Sequence, residues 1–114
     1  MDLTKKVFKR LEAGNHNIAV VDWKVDSLVT KNKEVWEHVN ISVILDGIRP
    51  YNILLGDVAL DINCNKLLEE YNLDESISQL EILDWMKGKE FKGFLEEKGT
   101  EEKTYFNWYF VSVE

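Results

Sequence analysis

The stretch Lys103 to Val113, Lys-Thr-Tyr-Phe-Asn-Trp-Tyr-Phe-Val-Ser-Val, reads as a strand. Five of its eleven residues are aromatic and two more are valine, and a helix would have to bury aromatics on every side. Alternation sets Phe106, Trp108 and Phe110 on one face and Tyr105, Tyr109, Val111 and Val113 on the other. Both faces are apolar. One fills a core, and the second needs a cover, whether a helix, a partner or a ligand, because a bare patch of this kind marks an interaction site. Two apolar faces on one strand fit a curled sheet better than a flat one. The 114 residues are enough for one domain with one core.

Taken in order, Leu3, Val7, Phe8 and Leu11 recur at helical spacing and predict a short N-terminal amphipathic helix. Lys5, Lys6, Lys9 and Arg10 lie on its wet side, and Gly14-Asn15 stops it. Asn17 to Thr30 alternates as the first strand, with Ala19, Val21, Trp23 and Val25 on one side and Ile18, Val20, Asp22 and Lys24 on the other; Trp23 is read as core. The second strand, Val35 to Leu45, is the most regular: Val35, Val39, Ile41, Val43 and Leu45 face inward, while Trp36, His38, Asn40 and Ser42 form a polar side. Asp46-Gly47 is a hairpin signal, so a third strand, Arg49 to Leu55, follows directly, with Pro50 at its start or on an edge.

From Gly56-Asp57 the period changes to that of helices. Leu60, Cys64, Leu67, Leu68 and Tyr71 mark the inner side of the first. The second runs from Ser76 to Met86, with Ser76 and Gln79 as a capping pair and Ile77, Leu80 and Leu83 inside. Extended structure resumes over Glu90 to Glu97, where Gly93 signals a bulge or bend.

Three meandering strands, a helical connector and two further strands is the order of the OB-fold, a five-stranded Greek-key barrel. The expected fold is thus mainly β: a single OB-like domain over residues 1–114, with an acidic helical connector between strands three and four and a short N-terminal helix. An open α+β sheet of the same order is the alternative. The segments Leu11 to Asp22, Leu45 to Leu55, Met86 to Phe94 and Tyr105 to Phe110 also resemble the small single-stranded-DNA-binding proteins that bacteriophages of Gram-positive hosts carry in replication or recombination modules. That resemblance spans nearly the whole chain. It implies an OB-fold that coats single strands without chemistry, in the host-cell cytoplasm, with replication or recombination proteins as partners.

Net charge is −7, but residues 57–86 hold eight acids against Lys66 alone, so the other surfaces are free to carry local basic clusters. No apolar run is long enough to span a membrane and no apolar signal core follows the N-terminus, so the chain reads as soluble and intracellular. An enzyme reading finds no support: His16 and His38 lie in no metal-ligand spacing with Cys64, no phosphate loop or nucleophile motif is present, and no cofactor is expected. Cys64 reads as a packed small residue.

A single-strand binder needs aromatic faces for stacking and cations for phosphates. The candidates are Trp36 and His38 on strand two, Arg49 and Tyr51 on strand three, Lys31 and Lys33 in the first loop, and Lys87, Lys89, Lys92 and Phe94 around strand four. Trp36 and Tyr51 would stack bases, although Tyr51 shares parity with Ile53 and Leu55. A rival reading is an acidic interaction or inhibitor module whose helices over 57–86 mimic nucleic acid. A third is a homo-oligomer joined through the second face of the last strand.

Overall fold

The computed structural model describes residues 3–4, 11–100 and 103–111. Five antiparallel strands form one sheet: β1 (Gly14–Val29), β2 (Val35–Leu45), β3 (Arg49–Leu55), β4 (Glu90–Thr100) and β5 (Lys103–Tyr109), in the order β3-β2-β1-β4-β5. Two helices, α1 (Asp57–Glu70) and α2 (Gln79–Met86), connect β3 to β4. The chain is therefore mainly β, with no ladder joining the outer strands β3 and β5 among the described residues. The expected N-terminal helix falls largely on residues 5–10, outside the described set.

The hairpin β2–β3 forms as its pattern demands. Leu45 pairs with Arg49 across Asp46-Gly47, whose φ angles of 53° and 75° make the left-handed turn that aspartate and glycine tolerate. Pro50 sits on edge strand β3, where its missing N–H costs no ladder bond.

Strand β1 corrects the simple alternation. Ile18 pairs with Leu45 and Val20 with Val43, but Asp22 pairs with Ser42 and Trp23 with Ile41, leaving Val21 as one extra residue. That bulge inverts parity, so Ile18, Val20 and Trp23 share the inner face, whereas Val21 is exposed. It also lets β1 run on as a two-stranded hairpin with β2, because β4 pairs only with Gly14 to Ala19 and adds backbone bonds at Val20. Val25, Val29 and Val35 keep the inner parity yet stand 67%, 73% and 68% exposed, since the hairpin projects past the core. On this stretch the amides of Trp23 and Ser27 each donate to the carboxylate of the preceding aspartate, Asp22 and Asp26, at 2.8 Å.

The helices close the core with Leu60, Cys64 and Leu67 from α1 and Ile82, Leu83 and Met86 from α2. Helix α2 starts three residues later than its pattern suggests. Ser78, not Ser76, is the N-cap, accepting from Glu81 N–H at 3.2 Å, while Ser76 donates through N–H and Oγ to Asp74 Oδ1. The shift places Leu80 outside, 58% exposed, and Ile82 inside. Tyr71 is likewise not buried: it caps α1 and meets Trp85 and Phe91 edge-on at 5.2 and 5.6 Å. No helix among the described residues is long and apolar enough to cross a membrane.

Gly93 is no bulge, since the β1–β4 register runs through it unbroken. It marks a close approach: a Cβ there would collide with Ile18 Cδ1 and stand 2.6 Å from the Tyr109 carbonyl oxygen. Asn63 is the polar counterpart, 2% exposed on the inner side of α1. Its Nδ2 donates to the carbonyls of Ala59 (2.8 Å) and Trp108 (2.9 Å), and its Oδ1 accepts from Phe110 N–H at 2.8 Å. The amide thus serves the edge of β5 as a neighbouring strand would.

His16 ties the start of β1 to the β2–β3 turn. Its Nδ1 lies 2.8 Å from Asp46 Oδ2 and its Nε2 2.6 Å from the Glu12 carbonyl, so both ring nitrogens face acceptors and the imidazolium satisfies both. Burial alone would lower the His16 pKa and Arg49 opposes protonation, but the Asp46 and Glu12 hydrogen bonds prevail and raise it. Burial pulls Asp46 the other way, and bonds from His16 and the Asn17 amide leave its pKa lowered. The histidine contribution is complete below its unfolded pKa near 6.5 and is lost as pH rises through the raised value. The aspartate contribution is present above 3.8 and is lost as pH falls through the lowered one. The melting-temperature gap between wild type and His16→Gln is thus expected to be widest at about pH 5 and to narrow above about pH 7. A gap that does not change with pH would refute the charged pair.

Candidate functional site

The outer face of β1, β2 and β3 is where the polar side of β2 emerges. Trp36 lies on it opposite Leu28, His38 opposite Asp26, and Asn40 between Lys24 on β1 and Leu54 on β3. Residues two apart on a strand share a face, so the rings of Trp36 and His38 stack, with centroids 4.4 Å apart and planes 25° off parallel. His38 lies within 3.3 Å of the Trp36 carbonyl through Nδ1 and is only 4% exposed. It is therefore the support under the indole and offers a ligand little surface of its own.

Gly56, just before α1, fixes the other side of the indole. A Cβ there would lie 3.0 Å from Trp36 Nε1 and 3.4 Å from Cζ2, so the bare backbone is what admits the ring. Trp36 remains 38% exposed, backed by histidine and edged by glycine. Beside it, Asn40 Oδ1 is buried without a hydrogen-bond partner, and Ser42 Oγ donates to Asn52 Oδ1 at 3.2 Å. Lys31 and Lys33 sit exposed in the loop at the far end of the same hairpin, where Lys33 takes φ 61°.

The remaining sequence candidates lie elsewhere. Arg49 and Tyr51 pair with Leu45 and Val43 and so point to the inner face. Tyr51 packs against the core with its ring 5.6 Å from that of Trp108, and Arg49 stands near the His16–Asp46 pair. Lys87 is ion-paired with Asp22 (3.2 Å) and Asp84 (3.7 Å), and Asp84 also accepts from Trp23 Nε1 at 3.0 Å. Lys89 donates to the Trp85 carbonyl at 2.6 Å and lies 4.8 Å from that indole's centre. Both lysines are committed to structure.

Lys92 and Phe94 share the outer face of β4, opposite Asn17 and Asn15 of β1. From Asn15 to Leu28, beside Trp36, is about 40 Å along the strand at the usual rise. One groove does not take in both. The structure thus gathers Trp36, His38, Lys31 and Lys33 on one hairpin and leaves the other six residues outside it. It adds Leu28, Asn40 and Gly56, of which Asn40 was legible in the sequence as a member of the polar side of β2, whereas the outward parity of Leu28 follows only from the bulge.

Chemical groups are sparse. No three His, Cys, Asp or Glu side chains among the described residues are placed to hold a metal ion. Cys64 is buried, and its thiol is pushed up to about 11 by burial and by the Asp61 charge, which keeps it protonated. What the outer face offers is a flat aromatic surface beside Asn40 and Ser42, with Asp22 opposite Ser42 and Asp26 opposite His38 on β1, each paired with a lysine, and two further cations, Lys31 and Lys33, at its end. Neither a protein-family model nor a curated protein sequence matches the chain.

Proposed function

We propose that the chain binds single-stranded DNA without sequence preference on the outer face of β1, β2 and β3, with Trp36 as the stacking platform. The observation that carries this reading is the Trp36–His38 stack: an indole on the polar side of its strand, propped from behind and part-exposed, is costly to keep there unless something lies on it. Lys31 and Lys33 would take phosphates as the strand runs along the hairpin. The resemblance to phage single-strand binders points the same way and gives replication or recombination as the setting.

The same reading makes the sheet an OB-like barrel, open where β3 and β5 would meet. Its support is the strand order, together with the approach of Tyr51 to Trp108 across that gap. The rival acidic-mimic reading has less behind it. Of the eight acids over 57–86, Asp74 holds a turn, Glu81 bonds the Ser78 cap and Asp84 holds Trp23 and Lys87.

The test is a titration of labelled oligo-dT by anisotropy at low and moderate salt, with duplex DNA as control. Trp36→Ala is expected to weaken binding by roughly 5- to 150-fold, the equivalent of about 1–3 kcal/mol for one stacked base. With two or three phosphates held, log K should fall with log salt at a slope of only about −2. No binding at low salt, or equal affinity for duplex, would remove this function.

A further inference from the structure

Two open depressions, of about 390 and 680 Å³, meet at Val58 and Ala59 in the first turn of α1. The smaller lies between the β3–α1 junction and β5, and the larger between the first residues of β2, next to the hairpin loop, and the start of α1. Together they make one trough. Its walls carry an unusual share of bare apolar side chains: Val58 is 74% exposed, Val35 68%, Phe106 42%, Ile62 41% and Leu54 38%. Val58 and Ile62 stand about one turn apart on α1, and Leu54 at the end of β3 lines the same depression, so strand end and helix together present an apolar row. Scattered exposed valines need no explanation, but a row of this kind lining a concavity does.

The charges along the trough decide what fits it. Glu37 and Asp57 line the hairpin end, and neither is ion-paired among the described residues. Lys98, at the other end, is bound to Glu96 at 3.0 Å. The floor is therefore apolar and the uncompensated charge acidic. That suits a cationic occupant, and a second copy of a chain with net charge −7 is disfavoured.

We propose that this trough docks a protein segment of the opposite character, an amphipathic helix whose apolar side carries leucine-like residues and whose flanks carry lysine or arginine. The apolar side lies on Leu54, Val58, Ile62 and Phe106, and the cations reach Glu37 and Asp57. The trough adjoins the strand-binding face, since Trp36 and Gly56 line its larger depression, but the apolar residues that would hold the helix, Leu54, Val58, Ile62 and Phe106, line the smaller one.

The test uses the full chain and a fluorescein-labelled amphipathic peptide of leucine and lysine, about 14 residues or four turns long, titrated by anisotropy at about 0.15 M salt. Saturable one-to-one binding is expected. Val58→Lys and Ile62→Lys, both at exposed positions and checked for fold by circular dichroism, should each weaken it at least about tenfold. The double variant Glu69→Lys/Glu70→Lys, which changes two acids of α1 outside the trough, should change it no more than about twofold. No binding would overturn the proposal. So would equal losses in all three variants, which would show attraction by net charge alone, or a loss confined to Glu69 and Glu70, which would move the partner to the acidic helix face. Displacement of the peptide by oligo-dT would assign the trough to nucleic acid instead.

Discussion

Asn63→Leu is expected to remove about 3 kcal/mol or more of stability, because it orphans the Trp108 carbonyl and the Phe110 amide, each costing about 1–3 kcal/mol when buried and unpaired. A domain of this size has about 5–15 kcal/mol in hand, so the melting temperature should fall by roughly 10 °C or more. Leucine is close to asparagine in size and suits a helix, so neither a cavity nor lost propensity accounts for the effect. Hydrogen exchange should locate the damage, with the Phe110 amide losing protection before the β1–β2 ladder does. Asn63→Asp keeps the acceptor for Phe110 but loses the donor to Trp108, and should be no milder because it buries a charge. A loss below about 1 kcal/mol for the leucine variant would mean that β5 is held by its packing and not by this amide.

Gly93→Ala should cost about 2–4 kcal/mol, at or above the usual range for overpacking a core. Of the two atoms its methyl would meet, Ile18 Cδ1 is the end of a rotatable side chain and can give way, but the Tyr109 carbonyl is backbone of β5 and cannot. The prediction separates them. If the carbonyl is the obstacle, adding Ile18→Val will not rescue Gly93→Ala and will add its own cost of about 0.5–1.5 kcal/mol. If the double variant is more stable than Gly93→Ala, the clash was with the isoleucine. Denaturant titration of the wild type, both single variants and the double variant gives the answer, provided the slope is unchanged.

How far the sequence could be read depended on whether a local period determined the outcome. Strands β2 and β3 have the bounds that alternation and Asp46-Gly47 suggest, because a connection of only three residues leaves the register little freedom. Strand β1 misled, since one extra residue at Val21 inverts a period of two and nothing in Val20-Val21-Asp22 announces it. Ser76 and Ser78 each stand three residues before a plausible capping partner, and only the competing turn at Asp74 decides between them.

For the site, parity was informative where it was followed across the hairpin. Trp36 is outside and Tyr51 inside, as their positions relative to Val39 and Ile53 require. The burial of His38 was not legible, because the indole above it covers it. Asn63 went unread for a different reason: one polar residue on an apolar helix side carries no period, and its role depends on a strand 45 residues away.

The paired aspartates of the projecting hairpin bear on how such a molecule remains unaggregated. Beyond Val20, β1 has no strand beside it on the β4 side among the described residues, and an unpaired edge flanked by exposed valines is the usual template for intermolecular stacking. Here two amide donors are already occupied by Asp22 and Asp26, and bonds from Trp23 and Ser27 keep those carboxyl pKa values low. An arriving strand meets two carboxylates, each paired with a lysine of this chain, where it needs hydrogen atoms, so the hairpin can carry its valines into solvent without recruiting its own kind.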